Sequence, residues 1–245
     1  MSRYNFYSKH IPETGEILAL APEEAAHGVR VLRLTRGDRV GVLDGCGTRA
    51  EAEVTETRLT KRRASLSCRI LQRRRVAAPD PRVSLYVAPP RAKEMVRIVH
   101  MATELGVYRI TPVVCEDSVA KPTGKDVPEH WTNDAVAAVK QSGNPYLPEM
   151  SPPVPFDEAL RESGETGFYG DAPASAGEAP RFKPSLEGRP AISVWVGPEA
   201  GFSLVEKQAM NKRGILPVSV GRWILRVETA VPVLLGWLIG RRGMS

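Results

Sequence analysis

Apolar and polar positions change their rhythm once along this chain, near residue 80. Before that point apolar residues recur in short alternating runs, and residues 40–43, 50–54 and 64–70 predict strands. Asp44-Gly45-Cys46-Gly47 predicts a hairpin turn between the first two. Residues 22–27 predict a brief helix opening onto 29–33. Strands this short and this closely spaced predict a small β-barrel or sandwich. A linker is expected over 73–82, where Pro79 and Pro81 fall. Beyond it strands alternate with helices, the order of a parallel α/β sheet. Residues 83–88, 108–115 and 167–170 predict strands, and 93–105, 131–141 and 157–162 predict helices. The first helix carries Met95, Ile98, Val99, Ala102 and Leu105 on one face and stops at Gly106. Residues 172–190 are rich in Ala, Pro, Gly and Ser and predict a long surface loop.

The C-terminal stretch repeats one arrangement twice. Residues 192–196 predict a buried strand, and Gly197-Pro198-Glu199-Ala200-Gly201 a turn. Ser203 with Glu206 is a capping-box pair, so a helix is expected there, ending near Gly214. Residues 215–220 predict a second strand, Gly221 a second turn, and Thr229 the cap of a last helix. Pro232 then belongs in that helix's first turn, where its missing N–H is harmless. Two glycine turns on neighbouring strands would set open backbone side by side, where α/β sheets bind small molecules. Either turn alone reads as an ordinary β–α connection.

Composition narrows the picture little: 42% hydrophobic and 25% charged residues are those of a globular protein. Charge says more, because 34 Lys plus Arg against 28 Asp plus Glu leave +6, which favours polyanionic partners. Arg3, Arg30, Arg33, Arg36 and Arg39 cluster early, beside Tyr4, Phe6 and Tyr7. Arginine forks suit phosphate, so Arg3, Arg30 and Arg33 are candidate RNA contacts, the alternative being a solvated edge. Arg73–Arg75 fit the solvated edge better. Cys46, Cys68 and Cys115 lie far apart, and the four histidines form no ligand motif, so neither disulfide nor metal is expected. No apolar run is long enough to span a membrane, and the first ten residues lack the apolar core of a leader; a cytoplasmic protein is expected.

GPEAGFS at 197–203 and VGRWILRVETA at 220–230 resemble the two signature loops of the SPOUT-superfamily 16S ribosomal RNA (uridine-N3) methyltransferases. HGVRVLRLTRGDRVGVLDGCG, ATELGV and EDSV are similar to the same family, so the likeness spans nearly the whole chain. The resemblance implies a PUA-like β-barrel RNA-binding domain over 1–74. It also implies an α/β domain over 80–245 with a C-terminal trefoil knot, and a homodimer acting on ribosomal RNA or the small ribosomal subunit. It implies S-adenosylmethionine as cofactor, resting on Gly170, Gly197, Pro198, Glu199, Ala200, Gly201, Val220, Gly221, Ile224, Leu225, Arg226 and Thr229. Arg226 is the candidate catalytic cation for a uracil anion, with a phosphate anchor or an ion pair to Glu228 as its other readings. Glu199 could assist proton removal or serve the turn's backbone.

The chain departs from the family at Ala200, where a second glycine is usual, and at Trp223, Asp117, Asn144 and Met101, where cations are usual. Fewer cations weaken phosphate affinity. A methyltransferase acting on another nucleotide, or a non-catalytic RNA-binding protein of the same fold, is therefore the alternative.

Overall fold

The computed structural model describes residues 4–61, 63–122, 128–164, 166–173 and 189–240. Arg3 and most of the expected surface loop, 174–188, lie outside the described residues. The chain divides into two compact units, Met1–Ala78 with Val136–Leu147, and Pro79–Ala135 with Pro148–Ser245.

The first unit holds β1 (Asn5–Tyr7), β2 (Ile17–Ala19), α1 (Pro22–Ala26), β3 (Arg39–Leu43), β4 (Thr48–Leu59) and β5 (Ala64–Arg75). They form one sheet of order β1-β3-β4-β5-β2, parallel only between β1 and β3. Alternate residues Ala50, Ala52 and Val54 of β4 and Leu66, Cys68 and Ile70 of β5 point to a core shared with Phe6, Val40 and Val42. β1 and β2, at three residues each, are too short for alternation to mark them. β4 and β5 run well past their apolar runs, because backbone pairing continues where side chains turn polar. The linker is correspondingly shorter than expected, starting after Arg75. In the β3–β4 turn, Asp44 Oδ1 accepts the Cys46 and Thr48 amides at 2.7 and 2.8 Å. After α1 the chain makes a π-helical turn over His27–Val31, and Arg33 follows at φ +55°. In the Val136–Leu147 segment, Lys140 Nζ reaches Glu24 at 2.5 Å and the Tyr146 hydroxyl donates to the Val76 carbonyl at 2.7 Å.

The second unit follows the alternating order: β6 (Arg82–Val87), α2 (Ala92–Glu104), β7 (Arg109–Val114), α3 (Glu129–Ser142), β8 (Glu149–Met150), β9 (Val154–Pro155), α4 (Phe156–Glu162), β10 (Gly167–Gly170), β11 (Ala191–Val196), α5 (Leu204–Lys212), β12 (Ile215–Val218) and α6 (Val227–Gly240). The C-terminal part of α3, from Val136, belongs to the first unit. Strand order is β12-β10-β11-β6-β7-β8 with β9 beside β7, and every pairing is parallel. Such strands are covered on both faces and read as continuous apolar runs. Trp195 stacks on Tyr86 at 4.2 Å between ring centres, and Phe156 meets Trp195 edge-on at 5.9 Å. α2 buries Met95, Ile98, Val99 and Ala102, as its spacing predicts.

Two expectations change in this unit, both at the last helix. α6 starts at Val227, because the Arg226 carbonyl accepts the Thr229 and Ala230 amides at 2.9 and 2.8 Å. Thr229 is therefore an exposed residue inside the first turn and caps nothing. Pro232 sits one turn further in than expected, inside the helix, where it withholds a donor from the Glu228 carbonyl. The apolar face of α6 is used within the chain. Val231, Leu234, Leu235 and Leu238 are buried, and the helix packs on α2 and β11.

Candidate functional site

β10 stands between β11 and β12, so the two glycine turns leave strands that are not neighbours. Gly170 pairs with Val218, and Tyr169 with both Trp195 and Pro217, which brings the C-terminal ends of all three strands abreast. The loops that follow, 171–173, 197–203 and 219–226, open onto one cavity of about 170 Å³. Open parallel sheets bind ligands at this end of their strands. The sequence pattern marks two of the three loops as a pair; the third, which the family resemblance supplies at Gly170–Ala172, is brought between them by the place of β10 in the sheet.

Each loop is shaped by a local contact. Ser203 Oγ accepts the Glu206 amide at 3.2 Å, and Glu206 Oε2 accepts the Ser203 amide at 2.8 Å, which fixes the start of α5 and the end of its turn. At Gly197 a Cβ would lie 3.0 to 3.2 Å from three atoms of the Phe202 ring, so the turn folds down on that ring only without a side chain. At Gly170 a Cβ would lie 3.1 Å from Leu234 Cδ1. Gly201 carries φ +82°, whereas Ala200 keeps a negative φ. The missing second glycine thus costs the turn nothing. In the last loop Ser219 Oγ donates to the Gly221 carbonyl at 3.2 Å.

Of the sequence's candidates, Gly170, Gly197, Pro198, Glu199, Ala200, Gly201, Val220, Gly221, Ile224 and Leu225 line this cavity. Arg226 and Thr229 do not. The Arg226 side chain is 85% exposed and lies 4.0 Å from Glu228, the outer limit of an ion pair. Trp223 and Ile224 line the opening and are 66% and 78% exposed. Residues the sequence did not single out complete the wall: Val227, Ala230 and Leu234 from α6, and Lys207, whose Nζ pairs with Asp171 Oδ1 at 2.8 Å. No local pattern marks them, since they meet through β10 and α6. Burial first, then the Asp171 carboxylate, pushes the Tyr169 phenol above its usual value, so it stays protonated.

The cavity suits a flat, uncharged ring held by backbone groups and apolar side chains, with polar atoms at its edge. Among the described residues no group of three His, Cys, Asp or Glu could hold a metal, and no helix is long and apolar enough to cross a membrane. In the first unit Arg30 and Arg33 are exposed and have no ion-pair partner among the described residues.

Comparison with known proteins bears on this geometry. Residues 78–239 match the family model of the RNA methyltransferase domain, and 20–63 that of the RNA methyltransferase PUA domain. Ribosomal RNA small subunit methyltransferase E of Aquifex aeolicus is 31% identical over 240 residues, covering 96% of this chain and 98% of that one. The Neisseria gonorrhoeae ribosomal RNA small subunit methyltransferase E, solved bound to S-adenosyl methionine, superposes with TM-score 0.80 at 25% identity, covering 96% of each chain. A putative methyltransferase from Legionella pneumophila, solved with the cofactor SAM, gives TM-score 0.79 at 26% identity over 97% of each chain.

Proposed function

The chain belongs to the RNA methyltransferase family, among relatives of ribosomal RNA small subunit methyltransferase E, and on that premise we propose that it transfers a methyl group from S-adenosylmethionine to N3 of a uridine in 16S ribosomal RNA. The observation that carries this reading is the convergence of three adjacent strand ends on one glycine-shaped cavity. It is the same fold, over nearly its full length, that holds this cofactor in two similar proteins.

Bound S-adenosylmethionine supplies an electrophilic methyl group on a cationic sulfur. In this reading its adenosine rests on Gly197–Gly201 and on Val220, Gly221, Ile224 and Leu225, with Gly170 closing the third side. N3 of uracil is a weak imide acid, so the protein's task is to align it with the methyl group and stabilise the anion. Arg226 is the cation proposed for that task. It stands between two cavity residues, Leu225 and Val227, and its pair with Glu228 is too long to neutralise it. Glu199, exposed on the first turn, is the proposed aid to proton removal.

Arg30 and Arg33 of the first unit are proposed to hold the RNA, together with Arg3. We also read the second unit as a SPOUT domain with a threaded C-terminus. Support for this comes from α6, which leaves the edge strand β12 yet packs on β11 and α2, across β10. A homodimer in the cytoplasm completes the reading. Its support is the exposed apolar set Leu204, Val205, Trp223 and Ile224, since α6 is already spent inside the chain.

The test is incubation of the protein and S-adenosylmethionine with 16S ribosomal RNA, naked and assembled into small subunits, followed by mass spectrometry of the nucleosides. N3-methyluridine is the expected product. Calorimetry showing no binding of S-adenosylmethionine would overturn the reading and leave a non-catalytic RNA-binding protein.

A further inference from the structure

The outer face of β4 and β5 carries an arrangement that sheets ordinarily avoid. Arg49 stands directly opposite Arg74 in the antiparallel ladder, and like charges in that position repel. The next pair on the same face is Glu51 and Gln72. Arg49, Ala50, Glu51, Gln72 and Arg74 line a cleft of about 260 Å³. Glu51 is near enough to line the same cleft, yet neither guanidinium lies within 4.0 Å of a carboxylate among the described residues. By contrast Arg73, on the other face, pairs with Glu13. Both arginines thus line one cleft with no carboxylate within ion-pair distance among the described residues.

The backbone explains how the two are held. Register shifts between Glu51 and Ala52, whose partners are Gln72 and Ile70, so Leu71 is an unpaired bulge residue beside the cleft. A bulge bends and twists the strand and re-aims the side chains that follow it. Arg49 is half-buried, and its Nη1 would be 3.6 Å from a Cβ at Gly143, so its guanidinium head lies beside Gly143 at one side of the cleft.

We propose that Arg49 and Arg74 form a phosphate-binding site for the backbone of an RNA strand, built on the repulsion that the unoccupied face leaves unrelieved. Two planar forks across one cleft can each give a phosphate two hydrogen bonds, and the Gln72 amide adds a neutral donor. A phosphodiester relieves the like-charge pairing that no carboxylate among the described residues relieves. Glu51 limits the cleft's charge, which favours a single phosphate over a dense polyanion. Neither Arg30 nor Arg33 lines this cleft, and the site rests on the reading of the chain as an RNA-binding methyltransferase.

The test is a salt titration of binding to deproteinised 16S ribosomal RNA, with calorimetry of S-adenosylmethionine alongside. Arg49→Gln with Arg74→Gln should weaken RNA binding roughly tenfold at 100 mM salt and flatten the salt slope by about one unit, the share of one phosphate. Affinity for S-adenosylmethionine should be unchanged. Glu51→Gln, which keeps both arginines, should strengthen RNA binding a few-fold and guards against a misfolded double variant. An unchanged slope in the double variant with no gain from Glu51→Gln overturns the site alone. Wild-type protein that binds S-adenosylmethionine but not the RNA overturns both the site and the functional reading.

Discussion

The Glu116 amide donates to Glu206 Oε1 at 3.0 Å, joining the loop after β7 to the first turn of α5 across 90 residues of sequence. The other oxygen of the same carboxylate accepts the Ser203 amide at 2.8 Å. Glu206 is buried and Ser203 half-buried, so the Ser203 amide loses its partner without the carboxylate, while Glu116 is itself exposed. Burying an unsatisfied donor costs about 1–3 kcal/mol, and loss of the cap about 1 kcal/mol more. Glu206→Ala should therefore lower unfolding free energy by about 2–4 kcal/mol in urea titration. A loss under about 0.5 kcal/mol would mean that water replaces the carboxylate at both amides.

The two signature glycines should differ in what they tolerate. Gly197→Ala places a Cβ 3.0 Å from the Phe202 ring, which is itself buried. Overpacking of that kind costs about 1–3 kcal/mol. Gly221→Ala meets nothing closer than 3.5 Å and should stay within about 0.5 kcal/mol of wild type. Thermal melts of the two variants compare them directly. If Gly221→Ala nonetheless loses cofactor binding, the ligand approaches that backbone from the cavity side.

Cys46 is exposed, while Cys68 and Cys115 are buried and free. Burial pushes the Cys68 thiol up to about 11 and is the first cause that pushes Cys115 up to about 12, with the Glu206 carboxylate next. An aromatic disulfide reagent at pH 8 should titrate one thiol in the native protein and three after denaturation. Raised thiol values favour the folded state below about pH 9, and that contribution fades as pH climbs towards 11 and 12. Stability should accordingly fall across that alkaline window, and replacing both buried cysteines with alanine should flatten the fall.

Arg226→Ala removes a side chain that does not line the cavity. Methylation should be abolished while S-adenosylmethionine affinity stays within about tenfold, the mark of lost transition-state stabilisation. Unchanged turnover would remove Arg226 from the mechanism.

Arg33 is the one non-glycine residue with positive φ among the described residues, at +55°. Asparagine adopts that backbone more readily. Arg33→Asn should raise stability by about 0.5 kcal/mol while flattening the salt slope of RNA binding by about one unit. A variant with higher stability and an untouched slope would make Arg33 a structural residue only.

The sequence by itself determined the local elements and the kind of site. Short apolar runs marked β6 and β7, helical spacing marked α2, and the Ser203–Glu206 pair marked the start of α5, because these signals depend on neighbours within a few residues. The cofactor-binding candidates of the two loops line one cavity, apart from Arg226 and Thr229. Tertiary structure decided the rest. Insertion of β10 between β11 and β12, the Lys207–Asp171 pair, the α6 wall and the opposition of Arg49 to Arg74 all depend on which strands pair and in what register. Strand order and register are set by the packing of distant faces against each other, and no window of adjacent residues contains that information.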